Sequence, residues 1–346
     1  MRIIVTHASP DLDAITSAWL IRKFLPGWDS TEVRFVPAGE RLSRNALRSP
    51  RQFDDSSSPN LKQPSNLAQA DLSNTDSSAV LFKSSSHAEA PRAIDVVEII
   101  NGHEVIHVDT GLGPLDHHQT ASDEVCGASL TWEYIKAQSA KRKAQNLQTE
   151  KQRDREQAIS RMVKAVVDID HFKEVFWEDT TADYHEFSLL SILDGLKLAK
   201  MDQDEYYVDF VSECLDAILH EFENRIWAEK EIAEKGIKFD TRFGKGMGFE
   251  TINDTVLKLA QKMGYVAVIR KDPRKGYVRI KAMPSQNKKD DIDLTLAYEK
   301  LKKMDPSATW FLHIGKKMLL NGSVKNPKMR PTRLSLLDII KVLEKI

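Results

Sequence analysis

Cysteine is nearly missing from this chain. Only Cys126 and Cys214 occur in 346 residues, which excludes a disulfide framework and a thiolate zinc cage. A reducing, cytoplasmic setting is the expectation. No apolar run is long enough to cross a bilayer, so no membrane partner is expected. The opening stretch, MRIIVTHASPDLDA, does not read as a signal peptide, because its short apolar run ends at once in a polar, acidic loop. There is no internal repeat. What is present is a composition of 41% hydrophobic and 29% charged residues, which fits a folded globular protein. The length exceeds one ordinary core, so two domains are expected.

The net charge of -1 conceals an asymmetry. From Gly236 onward there are 24 Lys and Arg against 11 Asp and Glu, whereas 26 and 40 precede it. An acidic first part suits cation binding, and a basic second part suits phosphate or nucleic acid. Lysines that simply solvate a small domain would give the same count.

The chain opens with an apolar run at 2–6 (RIIVT) that reads as a buried strand. A turn follows, then helical spacing over Ala14–Leu25 with Pro26 as its stop. Residues 32–37 and 104–108 read as further strands, and 93–101 as a helix. Between them, 49–93 is rich in Ser, Asn, Gln, Asp and Pro and reads as a disordered insertion. Residues 128–139 look helical, 140–157 like a solvated helix or linker, and 159–167 amphipathic before DIDHF. A long helical pattern at 206–235 reads as an arm between domains. Beyond it come strands at 237–242, 265–271, 276–282, 309–313 and 318–321, with helices at 251–263, 294–304 and 334–346. The expected fold is α/β: a parallel-sheet N-terminal domain over 1–204, a connecting helix at 205–235, and a smaller α+β domain over 236–346, with a cleft between the two domains.

Two strand ends carry the chemistry. His7, Asp11 and Asp13 follow the first strand, where open α/β sheets place their ligands. One imidazole and two carboxylates suit Mn²⁺, Mg²⁺ or Zn²⁺, although an Asp here also serves as a helix cap. Asp109 repeats the placement after another strand, and Asp116, His117 and His118 follow a TGLGP turn. A polar surface loop is the plainer account of that triplet. Two cations about 3.5–4 Å apart need a bridging carboxylate and several terminal ligands. Asp168 and Asp170, at the end of a helical pattern, are candidates to complete the set, or they are an acidic helix end. In the basic region, ATWFLHIGKKMLLNGS brings His313, Lys316 and Lys317 to a turn, and Asn321 and Gly322 end the next strand. With Arg330 and Arg333 these residues are candidates to hold a phosphate; a hairpin with solubilising lysines is the alternative.

VTHASPDLDAITSAW resembles the first motif of the DHH phosphoesterase superfamily, and its His-x-x-x-Asp-x-Asp core is most similar to the family II inorganic pyrophosphatases. VDTGLGPLDHHQT resembles the second and third motifs, with a short gap, glutamine and following Gly-Ala-Ser-Leu-Thr like the melanocyte-proliferating-gene family of DHH-type exonucleases. WFLHIGKKMLLNGS is similar to the glycine-rich substrate element of the associated second domain. The first motif keeps Pro-Asp-Leu-Asp where the melanocyte-proliferating-gene branch is richer in Gly, Asn and Cys. The resemblance implies that His7, Asp11, Asp13, Asp109, His117 and Asp170 are metal ligands, with Asp168 in reserve for the last. It implies that Asp109 bridges two cations, that His118 faces a substrate phosphate, and that Asp116 orients an imidazole. A phosphodiesterase or nuclease acting on RNA or single-stranded oligonucleotides, with two divalent metals (Mn²⁺ favoured over Mg²⁺) activating a water, is the expected function. A phosphatase for a phosphorylated small molecule (pyrophosphate or a dinucleotide), or a non-catalytic metal- and phosphate-binding protein, are the alternatives.

Overall fold

A computed structural model describes residues 1–44, 95–142, 148–285, 291–323, 326 and 328–345. The expected insertion at 49–93 lies outside the described residues. The chain is a mixed α/β protein that divides into two compact units, one of Met1–Lys143 with Val166–Ser212 and one of Ala144–Ala165 with Glu213–Ile346. No described helix is long and apolar enough to cross a membrane.

The first unit is built on a four-stranded sheet in the order β2-β1-β4-β3. β1 (Arg2–His7) is central and runs parallel to β2 (Glu32–Val36) and β4 (His103–His107). Ile3, Ile4 and Val5 have no exposed surface, as a strand covered on both faces requires. α1 (Leu12–Phe24) follows β1 and buries its residues from Leu12 to Ile21, and it packs against α2 (Gly127–Arg142). α3 (Glu150–Asp170), α4 (Leu189–Ala199) and α5 (Asp204–Lys235) complete the helices, and the division between units falls within α3 and α5.

Two expectations fail in this sheet. Residues 93–101 were expected to be helical, yet Glu98–Ile100 form β3. β3 pairs antiparallel with β4, so the sheet is mixed rather than wholly parallel. The cause is the turn between them: Asn101 and Gly102 both take positive φ, 51° and 80°, and an Asn-Gly pair in that conformation closes a two-residue hairpin whose twist matches its strands.

The second unit carries a six-stranded sheet in the order β5-β6-β7-β8-β10-β9. Its strands are β5 (Ile237–Thr241), β6 (Gly244–Glu250), β7 (Ala267–Lys271), β8 (Val278–Ala282), β9 (Trp310–Leu312) and β10 (Met318–Asn321). Only the β6–β7 pairing is parallel. Alternation along β7 decides where the helices sit. Ala267 and Ile269 join a core with α7 (Thr295–Met304) and α8 (Leu336–Leu343), while Val268 joins a second core with α6 (Thr255–Lys262) and the end of α5. α8 starts later than its apolar pattern because Ser335 and Asp338 form a reciprocal cap at its first turn.

Candidate metal centre

The loop after β1 is set by its own backbone. Ser9 is left-handed, with φ 51°. Its amide donates to Asp204 Oδ2 at 3.1 Å, and Lys197 Nζ donates to its carbonyl at 3.1 Å. Asp11 caps α1 by accepting from the Ala14 amide at 2.9 Å, so the capping role proposed for it is real. Its second oxygen, Oδ2, lies 3.7 Å from His7 Nε2. His7 Nδ1 sits 2.9 Å from the Ala8 carbonyl. A hydrogen on Nδ1 donated there leaves Nε2 with a free lone pair, the usual tautomer of a metal-ligating histidine.

The loop after β4 turns on Asp109, also left-handed at φ 49°. Non-glycine residues are held in that region only when their surroundings demand it. The demand here comes from two backbone hydrogen bonds, Val108 N–H to Val5 O at 2.9 Å and Asp109 N–H to Leu115 O at 3.0 Å. The Asp109 carboxylate, 2% exposed, faces both loops: Oδ2 is 3.3 Å from His7 Nε2 and Oδ1 is 3.4 Å from His117 Nε2. His117 Nε2 also stands 3.5 Å from Asp170 Oδ2 and 3.9 Å from Asp13 Oδ2. Of the two acids at the end of α3, Asp170 therefore enters the cluster, whereas Asp168 faces Lys173 at 3.9 Å.

Asp13 has a second task. Its two oxygens accept the amides of Gly127 and Ala128, each at 2.7 Å, so it satisfies two free amides at the N-terminus of α2. Asp116 and His118 form a unit beside the cluster. Asp116 Oδ1 accepts from His118 N at 3.0 Å and is 2.7 Å from His118 Nδ1, and Oδ2 accepts from Leu112 N at 2.7 Å. His118 is fixed through Nδ1, which leaves its Nε2 unengaged and the side chain 59% exposed.

The electrostatics are those of a crowded anionic pocket. Burial and the Asp109 charge push the Asp13 carboxyl well above its ordinary range, and burial raises Asp170 too, against the pull of His117. Burial works to raise Asp109 as well, but His117 and His7 hold it low. Burial disfavours a charged His7, yet Asp109, the Ala8 carbonyl and Asp11 outweigh it and raise the imidazole to about 9. Asp109 lifts His117 to about 9 against burial, with help from Asp170 and Asp13. Asp109 Oδ1 and Asp170 Oδ2 are buried and make no well-formed hydrogen bond among the described residues; both share the approach of His117 Nε2, at 3.4 and 3.5 Å. Buried carboxylate oxygens so sparingly paired could hold a cation, and the set of oxygens and imidazole nitrogens suits a divalent one. No family model matches the chain, and no curated protein is similar to it.

The sequence reading missed two residues of the cluster. His171 Nε2 lies 2.8 Å from the Val125 carbonyl, and its ring packs edge-on against His117 at 5.8 Å; its place directly after Asp170 was the available signal. Gly127 is the other. A Cβ there would fall 2.9 Å from Asp13 Oδ2 and 3.0 Å from Asp109 Cβ, so glycine is what lets α2 reach the carboxylates.

The structure does not gather the expected phosphate-binding residues of the second unit into one site. Lys316 Nζ is 2.9 Å from Asp293 Oδ2 and Lys317 Nζ is 2.5 Å from Asp291 Oδ1, so both lysines are ion-paired. His313 Nδ1 accepts from the Gly315 amide at 3.1 Å within the β9–β10 turn. Asn321 is fully buried and its amide is saturated: Nδ2 donates to the carbonyls of Thr309 (2.9 Å) and Arg330 (3.0 Å), and Oδ1 accepts from Thr332 N (2.7 Å). Both polar atoms of the Asn321 side chain are therefore engaged within the fold. Gly322, at φ 76°, packs where a Cβ would run into the Tyr277 ring. Arg330 and Arg333 remain exposed.

Proposed function

We propose that this chain is a metal-dependent phosphoesterase of DHH type, a hydrolase whose centre takes two divalent cations. The observation that carries the reading is the Asp109 carboxylate, whose two oxygens each stand against a different histidine, 3.3 Å from His7 and 3.4 Å from His117. On one side His7 and Asp11 would complete the first cation's ligands. On the other His117, Asp170 and Asp13 would complete the second's. The nitrogen and oxygen set favours Mn²⁺ over Mg²⁺. Two such cations supply Lewis-acid charge and acidify a water for attack on phosphorus.

The chain's own residues do the rest. The Ala8 carbonyl holds the His7 ring in the tautomer that offers Nε2. Asp116 holds His118 with one ring nitrogen free at the rim of the pocket, where it would donate to a phosphoryl oxygen as charge develops. Asp13 keeps the N-terminus of α2 seated under the cluster. The excess of Lys and Arg from Gly236 onward favours a single-stranded oligonucleotide, RNA above all, over a phosphorylated small molecule such as pyrophosphate.

The test is hydrolysis of labelled oligoribonucleotides and of pyrophosphate in the same preparation, with and without Mn²⁺. The wild-type chain is expected to cleave the oligonucleotide only with metal, and Asp109→Asn to cleave neither. Metal-independent cleavage, or full activity in Asp109→Asn, would refute the reading. Turnover of pyrophosphate alone would move the substrate to the small-molecule class.

A further inference from the structure

The turn at 330–333 in the second unit is built with more care than an exposed loop needs. Five hydrogen bonds fix its main chain. Buried Asn321 accepts from Thr332 N at 2.7 Å and donates to Arg330 O at 3.0 Å. Arg330 N donates to Thr309 Oγ1 at 3.2 Å, and Arg330 O accepts from Thr309 N at 3.0 Å. Arg333 N donates to Asp305 Oδ2 at 2.9 Å. Buried polar groups such as Asn321 and Asp305 are expensive unless they are fully paired, and here both are spent on this one turn.

What the turn presents is positive charge. Arg330 and Arg333 line an open cavity of about 550 Å³ with Lys275, Ser307 and Thr332. Among the described residues none of the three cations makes an ion pair, unlike Lys316 and Lys317. No carboxylate side chain lines the cavity. Two acids of the surrounding framework are already occupied: Asp305 by the Ser307 hydroxyl at 2.7 Å, the Thr332 hydroxyl at 2.8 Å and the Arg333 amide, and Asp272 by the amides of Arg274 and Lys275 at 2.8 and 3.1 Å. Two planar guanidinium forks on a fixed main chain, with an ammonium from the neighbouring β7–β8 turn, suit the tetrahedral oxygens of phosphate, and the fixed main chain lowers the ordering cost of binding.

We infer that the Arg330–Arg333 turn, with Lys275, is a binding site for phosphoryl oxyanions, separate from the His313–Lys317 hairpin and independent of the metal centre. The cavity takes more than one phosphoryl group, as found in a nucleic-acid backbone or a free polyphosphate. It does not rest on the hydrolytic reading, because binding is read without metal.

The experiment uses the full chain in EDTA and follows the anisotropy of a labelled oligouridylate, with pyrophosphate and inorganic phosphate as competitors. Arg330→Gln/Arg333→Gln is compared with Lys316→Gln/Lys317→Gln, which removes the same charge from the hairpin. The arginine pair is expected to weaken binding roughly tenfold and to flatten the salt dependence of log K by about 1.4, at ~0.7 per lost single-strand contact. The lysine pair is expected to change affinity by less than about twofold, since those charges are already paired. Competition by pyrophosphate at concentrations that match the oligonucleotide would assign the site to free polyphosphate; a large advantage for the oligonucleotide would assign it to nucleic acid. Equal losses in the two double variants would overturn the inference in favour of diffuse charge, and wild-type binding in the arginine variant would overturn it outright. Unchanged Mn²⁺ binding and an unchanged melting midpoint in the arginine variant show that the loss is local.

Discussion

Replacing Gly127 by alanine tests the centre without touching a ligand. The residue has ordinary φ, so the backbone accepts alanine, and a helix by itself would gain up to ~1 kcal/mol from the change. The surroundings do not accept it. The new Cβ would meet Asp13 Oδ2 at 2.9 Å, Asp109 Cβ at 3.0 Å and Ser17 Oγ at 3.3 Å. Ordinary contacts of this kind need about 3.5 Å, so α2 and the two carboxylates must separate by roughly half an ångström. Overpacking of this order costs about 1–3 kcal/mol, which leaves a net loss of ~1–2 kcal/mol and a fall of about 3–6 °C in the melting midpoint. The larger effect falls on the cations. Asp13 is tied to the Gly127 and Ala128 amides at 2.7 Å, so moving the helix moves the carboxylate. Changes that disorient ligands typically lower metal affinity ~10–100-fold. Scanning calorimetry of the metal-free chain reads the first number, and isothermal titration with Mn²⁺ reads the second. A variant with wild-type melting and wild-type Mn²⁺ affinity would refute the claim that α2 is seated on the carboxylate cluster.

Further expectations follow from other parts of the molecule. Asp109→Asn, read by titration rather than turnover, is expected to lose high-affinity Mn²⁺ binding at both positions; retention of two tight sites would show that Asp109 is not the bridge. Asn321→Ala leaves Thr309 O and Thr332 N without their side-chain partner and takes one of two from Arg330 O, and is expected to cost about 2–4 kcal/mol in urea unfolding; a loss under about half a kcal/mol would show that the turn holds itself. Asp305 is held at about 2 by Ser307, the Arg333 amide and Thr332. A lowered folded pKa contributes stability above the unfolded value of 3.8, and that contribution is lost as pH falls through about 2. Asp305→Asn is therefore expected to cost ~2 kcal/mol at neutral pH and to cost little near pH 2; a penalty of equal size at both pH values would assign it to packing instead. Gly102→Ala places a Cβ at φ 80° in the β3–β4 turn and is expected to cost about 1 kcal/mol, checked by thermal melts.

The parts of this fold that were legible in sequence are those fixed by local pattern. Runs such as RIIVT and EVIHV announce strands buried on both faces, and each delivers its acids and histidines to the strand's carboxyl end. The pairing of β3 is not legible in VVEII, which has no distinct period; the Asn-Gly pair beside it is the local hairpin signal. Residues 171–199 went unassigned; the structure places two short 3-10 turns and α4 there. In the candidate site, Asp170 could not be separated from Asp168 by spacing alone, because the choice depends on how α3 is rotated against the β4 loop. Gly127 was invisible as a site residue, since its importance is a distance to Asp13, more than a hundred positions earlier, and to Asp109 in a separate loop. Lys316 and Lys317 looked free because their partners, Asp291 and Asp293, precede α7 and meet them only in the folded sheet. Asn321 looked like a contact residue because its strand position does not reveal that its amide turns inward.

The double duty of Asp13 has a consequence for how this protein is assembled. A carboxylate has about four lone-pair directions, and two belong to the amides of α2. Those amides offset part of the carboxylate charge whether or not an ion is bound. Under the proposed function, α2 is thus tied to the centre by Asp13 itself, and stripping the cations is expected to leave that tie in place.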